Sequence, residues 1–472
     1  MKTYFSFGTV DTTSLAQMCG GRAHLASNCA QQVRAICTDS REVDGETVFC
    51  AMRGERVDGH DYIEQAIENG CRLILCERTP DLIKQWNADA ILVENTELAL
   101  AAIARAYRKT LACKTVAVTG SVGKTTTKDM IGAVLSCEHK AFQTKGNFNS
   151  VIGMPLSMLE IPNKTEYAVL EMGMSGFGEI ERLSVTAEPD IAVITTIGTS
   201  HMEMLGTREN ICRAKLEVLC GLKKGGILLL NGDEPLLANV NGKSYKTLYI
   251  STKCEKADFF AKNIRVMTDC TMFDVVYHGI CEKDLCVRVV GRHNVYSALF
   301  AFAIGVLSGM GVDSIRQGLL HFAPEKMRQN IFSIGNITVM EDCYNASPES
   351  MQAAIDVLNS YTKLTGGRSV AVLGDMLELG EESSALHRQV GAHLAKSGVA
   401  RLYTVGRKSK YISIGARQRG MPLSAICECG TASVEEIGAR LCEELCSGDV
   451  VLFKASRALA IERIIEYLKK HY

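Results

Sequence analysis

The stretch 116-VAVTGSVGKTTTKDM-130 governs how the rest of this chain is read. A short apolar run ends at Gly120, a second glycine follows at 123, and then come Lys124, three threonines and a helical pattern. Glycines at 120 and 123 let the backbone turn tightly and aim N–H groups inward. A helix starting near Lys124 adds its positive N-terminal end. Strand, glycine loop, Gly-Lys-Thr and helix together predict a phosphate cradle formed by Gly120, Ser121, Val122, Gly123, Lys124, Thr125 and Thr126. Lys124 would reach the β/γ-phosphates, and the Thr125 hydroxyl would sit on Mg²⁺. The strict Walker spacing needs its first glycine at position 118, which is Val118 here. The bland alternative is an ordinary strand–turn–helix with chance glycines. A held triphosphate does not by itself separate a kinase, a GTPase-like switch, an ATPase or a ligase.

Outward from the loop, apolar runs of four to six residues recur at 167-YAVLEM-172, 190-DIAVITTIG-198 and 226-GILLL-230, with helix-length segments between them. That alternation indicates a parallel sheet covered on both faces. Ligands gather at the carboxyl ends of such strands. Glu171 closes one run and His201 follows another, so a carboxylate and an imidazole are expected beside Thr125, where they could complete Mg²⁺ coordination. The competing reading of Glu171 is a helix N-terminal acid or a buried pair. Magnesium's preference for oxygen weighs against His201. Lys215 lies in the helical segment 213-RAKLEV-218, and spacing alone makes it a solvated helix lysine. The runs 231-NGDEP-235 and 291-GRHN-294 are loop positions suited to a base or ribose.

The flanks are separate blocks. Residues 1–110 mix short strands with helices and end in the amphipathic run 97-ELALAAIARAYRK-109, which reads as a domain edge. The segment 255–279 reads as hairpin-like strands, and a third block of alternating strands and helices starts near 323-APEKMRQN-330. A chain of 472 residues fits about three domains. The expected fold is therefore α/β, with three domains at 1–110, 111–322 and 323–472. The net charge of −1 argues against wholesale nucleic-acid binding. Nineteen scattered cysteines lack C-x2-C spacing, which suits a reducing, cytoplasmic setting. No signal segment and no membrane span are expected.

Several runs together resemble the Mur ligases, the ATP-dependent amide ligases of peptidoglycan precursor synthesis. The runs TGSVGKTTT, 144-TKGNFNSVIGMP-155, 171-EMG-173, 197-IGTSHMEMLGT-207, RAKLEV, NGDEP and GRHNVYSALFA match the family's order and spacing. The glycine loop that breaks the strict Walker pattern is the family's own form. The run 38-TDSREVDGETVFCAMRGERVDGHDYIEQA-66 is similar to the uridine-nucleotide-binding domain of the tripeptide- and pentapeptide-forming ligases. The runs 341-EDCYNASPESMQAA-354 and 373-LGDMLELGEESSALH-387 look like the branch that adds D-alanyl-D-alanine, and the Asp-Asn-Pro-Arg run of the diaminopimelate-adding branch is missing.

The resemblance implies an N-terminal domain for the UDP-muramoyl tripeptide, a central ATP domain, and a Rossmann-like third domain that closes over both. It gives catalytic roles to Lys124, Lys215, His201 and Arg328. It places Thr125, Glu171, His201 and Lys215 at Mg²⁺ sites, directly or through water. Lys215 falls where many family members carbamylate lysine. Asn294, Arg328 and Asp342 match positions near adenine, phosphate and ribose. Ser40, Arg41, Asn147, Asn149 and Asn345 match substrate-facing positions. A monomer with small-molecule substrates, and no nucleic-acid partner, is expected. Rival readings are a related ligase, a P-loop kinase and a non-catalytic nucleotide-binding module. Ser297, Glu341, Ser347 and Ala455 depart from the family pattern. Ser347 would alter substrate contacts, and Ala455 would matter only where φ must be positive.

Overall fold

The computed structural model describes residues 1–26, 30–54, 57–78 and 87–472. Residues 55 and 56, inside the 38–66 run, lie outside the described residues. The first sheet runs in the order Lys2–Tyr4, Ala35–Cys37, Thr47–Cys50, Leu73–Cys76, Asp89–Leu92 and Arg22–His24. Its four inner strands are parallel and its two edges antiparallel. The following helix, Thr96–Thr110, is capped by the Asn95 side chain, which accepts from Leu98 N at 2.8 Å.

That helix lies at the seam between the first two sheets. Leu100, Ile103, Ala104 and Tyr107 are buried in one apolar cluster that reaches from Phe5 to Leu237, so the first and second sheets share a core. Arg108, also buried, donates to the carbonyls of Ala187 and Cys113 at 3.1 Å each, which ties the helix to the next sheet. Buried carbonyls need such donors, because an unpaired polar group in the core costs about 1–3 kcal/mol.

The central sheet has nine strands, in the order Ala141–Gln143, Tyr167–Glu171, Lys114–Thr119, Ile191–Ile194, Ile227–Asn231, Lys246–Ser251, Phe259–Val266, Thr271–Tyr277 and Ile280–Val287. It is parallel through the seventh strand and ends in antiparallel hairpins, so the 255–279 segment extends this sheet. Lys114–Thr119 has Tyr167–Glu171 on one side and Ile191–Ile194 on the other. Strand order reverses there, and the glycine loop opens at the carboxyl end of that strand, where such sheets bind ligands. Helices Lys124–Leu135 and Asn294–Leu307 bury their apolar faces against this sheet.

The third sheet runs Asn330–Ile334, Ile337–Glu341, Val450–Lys454, Ser369–Gly374, Arg401–Val405 and Ile426–Gly430, and only its first pair is antiparallel. Helix Pro348–Thr365 leaves this sheet with a capping box made by Ser347 and Ser350. Among the described residues, no helix is long and apolar enough to cross a membrane.

Candidate active site between the central and C-terminal domains

A cavity of about 670 Å³ lies between the second and third sheets. Its floor is the glycine loop. Gly120 has φ +145° and Gly123 +83°, backbone conformations that side-chain-bearing residues avoid. The loop is pinned from the neighbouring strand end: Ser121 N donates to Thr196 O at 2.9 Å, and the Thr195 hydroxyl donates to Val122 O at 2.7 Å. Helix Lys124–Leu135 starts directly on Gly123, so its first N–H groups open into the cavity. Lys124 Nζ reaches Gly120 O at 2.9 Å. Burial pushes the Lys124 ammonium below its ordinary range; Glu171 opposes that shift and Arg328 adds to it.

Glu171 is 1 % exposed at the end of its strand. Its carboxylate accepts from the Thr125 hydroxyl at 2.8 Å and from Asn149 Nδ2 at 2.7 Å. This is the buried pair weighed from sequence, and it is also a hard-oxygen site: one carboxylate and one hydroxyl held together under a phosphate loop suit Mg²⁺. Lys215 is 1 % exposed, which overturns its reading as a solvated helix lysine. Burial drives its ammonium well below the ordinary range, and the charge of Lys124 pushes the same way. Lys215 does not line the cavity.

His201 lines the cavity but is engaged elsewhere. Its Nδ1 pairs with Glu378 Oε2 at 2.7 Å, which links the central and C-terminal domains. The His201 hydrogen bond holds Glu378 below the usual carboxylate range. Asn294 donates through Nδ2 to Val290 O at 3.1 Å and to Gln329 Oε1 at 3.0 Å. Arg328 enters from the segment joining the second and third sheets, with its guanidinium 3.9 Å from the Tyr344 ring centroid. Asp342 sits at the end of Ile337–Glu341 and accepts from Lys454 Nζ at 2.6 Å. Asn147, Asn149 and Asn345 also line the cavity. Ser40 and Arg41 do not: the Ser40 hydroxyl donates to Gln65 Oε1 at 2.6 Å, and Arg41 grips Asp39 on the N-terminal domain.

The substituted positions have structural explanations. Ser347 is a helix cap, its hydroxyl accepting from Ser350 N at 3.3 Å, and it also lines the cavity. Ala455 is not among the residues with positive φ, so glycine is not required there. Ser297 accepts from the Thr127 hydroxyl at 2.9 Å and fastens the phosphate-loop helix to the next helix. Sequence reasoning missed Lys454, which is buried between Asp342 and the Asn345 carbonyl. A lysine at the end of the apolar run 449-DVVLFK-454 was the available signal. It also missed Thr195, whose hydroxyl bonds Val122 O across 73 positions of chain, and Tyr344, whose ring lies against Arg328 beside the first strand pair of the third sheet.

These features define a nucleotide-dependent enzyme class: a phosphate loop at a sheet switch point, with charged groups from a second α/β sheet facing it. Three family models match along the chain: the "Mur ligase family, catalytic domain" at 32–108, the "Mur ligase middle domain" at 118–305 and the "Mur ligase, glutamate ligase domain" at 327–457. The chain is 39% identical over 440 residues to the UDP-N-acetylmuramoyl-tripeptide–D-alanyl-D-alanine ligase of Bacillus subtilis, covering 92% of this chain and 93% of that one. It is 32% identical to the ligase of the same name from Escherichia coli, over 93% and 94%. A MurF crystal structure from Acinetobacter baumannii superposes with TM-score 0.88 at 28% identity, covering 98% and 99%. MurF ligase from Thermotoga maritima in complex with ADP gives 0.81 at 30%, covering 92% and 97%. The chain belongs to the Mur ligase family, and its three α/β domains have that family's architecture.

Proposed function

We propose that this chain joins D-alanyl-D-alanine to the terminal carboxylate of UDP-N-acetylmuramoyl-tripeptide at the expense of ATP, giving the pentapeptide precursor of peptidoglycan. The observation that carries this reading is the single cavity in which Lys124, Thr125 and Glu171 face Arg328, Asp342 and Lys454 from the other sheet. The names of the relatives support the same substrates.

A carboxylate does not react with an amine in water, so it must first be activated. The peptide carboxylate attacks the γ-phosphorus of ATP, ADP leaves, and an acyl phosphate forms. The amine of D-alanyl-D-alanine attacks the acyl carbon, phosphate leaves, and the nitrogen gives up a proton. Two anions must meet in the first step, so the protein's task is positioning and charge neutralisation. The loop N–H groups and Lys124 hold the phosphates, and Arg328 adds positive charge from across the cavity. Thr125 and Glu171 would hold Mg²⁺, which when bound offsets phosphate charge. The contact of the third domain with the second keeps water from the acyl phosphate. Asn294 and Asp342 would serve the adenosine, and Ser40 and Arg41 the uridine nucleotide on the first domain. Asn147, Asn149 and Asn345 would meet the peptide end, and His201 would act through water near the metal.

Lys215 fits carbamylation. A buried lysine held neutral can add CO₂ through its amine and release a proton, and the resulting anion would attract Lys124 instead of repelling it. Domain limits at 1–110, 111–322 and 323–472 belong to the same reading, supported by each large sheet drawing its strands from one of those ranges. A cytoplasmic monomer is the simplest setting for these soluble substrates. The test is ADP release with UDP-tripeptide, with and without D-alanyl-D-alanine. Sustained release that needs both supports the ligase. Release without the dipeptide marks a kinase, and no release marks a binding module.

A further inference from the structure

The segment that carries Arg328 is fastened to both the central and the C-terminal domain. Met327 and Gln329, on either side of Arg328, have φ +65° and +52°. Left-handed backbone is costly for such residues and persists only where surroundings enforce it. Gln329 is fastened to the central domain: its Oε1 accepts from Asn294, and its Nε2 donates to Val290 O. Met327 is fastened to the C-terminal domain, where its carbonyl accepts from Tyr344 N at 3.2 Å. The Arg328 side chain turns between these anchors.

Its guanidinium carbon lies 3.9 Å from the Tyr344 ring centroid, within range of a cation–π contact. Among the described residues its one acidic partner, Glu325, is 3.8 Å from Nε, too long for a hydrogen bond, and Nε is buried without a hydrogen-bond partner. Among the described residues, no carboxylate is hydrogen-bonded to the guanidinium. A flat cation stacked on a flat ring keeps all its N–H edges free in its own plane, whereas a bidentate carboxylate would occupy two of them. Arg328 lines the cavity and lies close enough to Lys124 to bear on that ammonium.

We propose that Tyr344 is the positioning residue of Arg328. Its ring face fixes the plane of the guanidinium so that the N–H edge is presented to the terminal phosphate held by the glycine loop. The phenol hydroxyl takes no part: among the described residues it makes no hydrogen bond. Ring and guanidinium sit on either side of one strand pair of the C-terminal domain, Asn330–Ile334 with Ile337–Glu341, so they face the phosphate loop as one unit. This rests on the phosphate role of Arg328 in the ligase reading above.

The test compares Tyr344→Leu and Tyr344→Phe, alone and combined with Arg328→Ala, in the full-length protein. One readout is the ratio of dissociation constants for Mg·ADP and a non-hydrolysable Mg·ATP analogue, measured by calorimetry without peptide. The other is kcat for ADP release with both peptide substrates. Tyr344→Leu is expected to cut the preference for the triphosphate by about fivefold and kcat by about tenfold, with KM for UDP-tripeptide unchanged. Tyr344→Phe should keep wild-type values in both. In the Arg328→Ala background, Tyr344→Leu should have no further effect, because coupled residues are not additive. The proposal is overturned if Leu and Phe are equally damaging, if the Leu effect survives in the Arg328→Ala background, or if ADP and the analogue weaken alike, which would mark a ring that stacks the base. Wild-type protein that binds nucleotide but never joins the two peptides would fail the ligase reading alone, and the calorimetric arm would still decide the Tyr344–Arg328 pairing.

Discussion

Replacing Gly120 by alanine is the sharpest test of the phosphate loop. At φ +145°, an added methyl strains the backbone by about 1–3 kcal/mol. The methyl would also overlap the Thr195 hydroxyl and lie 3.1 Å from both Thr195 N and Cβ. That hydroxyl holds Val122 O, so moving it forfeits a hydrogen bond of about 1 kcal/mol. Together the loop conformation loses about 2–4 kcal/mol, or about 30- to 1,000-fold in nucleotide affinity at 1.4 kcal/mol per decade. Gly123→Ala is the control. Its φ is +83°, but its nearest neighbour, Ser297 Oγ, is 3.9 Å away, so only the backbone term of about 1–2 kcal/mol applies. The expected order is therefore Gly120→Ala well below Gly123→Ala, with Thr195→Ala partly rescuing the former by removing the overlap. Calorimetric titration of each variant with Mg·ATP analogue measures this, with circular dichroism confirming the fold. Affinity within twofold of wild type for Gly120→Ala, or no gain from the double variant, would refute the reasoning.

Three further expectations come from the same geometry. Lys215→Ala should lose ADP formation and regain part of it with millimolar-scale short carboxylic acids, which would supply the missing anion; full activity in bicarbonate-free buffer would contradict carbamylation. Ser347→Ala removes the cap of helix Pro348–Thr365 and should cost about 1 kcal/mol in urea unfolding, with KM for D-alanyl-D-alanine unchanged. A raised KM with stability intact would make Ser347 a substrate contact instead. Because His201 holds the Glu378 carboxyl below its ordinary 4.5, the stabilisation from this pair is present above that value and fades as pH falls through the lower folded value. Glu378→Gln should flatten the acid limb of thermal stability as pH falls below 4.5; an unchanged limb would show that the bridge carries no linkage.

The parts of this molecule legible in its sequence are those whose physics is local. The loop from Gly120 to Thr126 is contiguous; its glycines, lysine and helix start are enough to specify a phosphate cradle, and it lies in the fold where the strand pattern put it. Parallel strands announce themselves as short apolar runs because both faces are covered. Strand-end reasoning reached Glu171 and the 291–294 loop, but Arg328 and Asp342 were named only through resemblance, since no local pattern ties them to that cavity.

Tertiary structure alone decided the rest, because burial and pairing depend on what other segments bring near. Lys215 carries the helical spacing of an exposed lysine, yet packing seals it to 1 % exposure beside another cation. The helix ending at Thr110 carries the pattern of a domain edge, and its apolar face closes a core shared with the next sheet. Lys454 meets Asp342 across 112 positions of chain, and His201 meets Glu378 only because the central and C-terminal domains approach each other around the cavity. Side-chain chemistry is written residue by residue, but charge, orientation and exclusion of water belong to the space between segments, which only the folded chain defines.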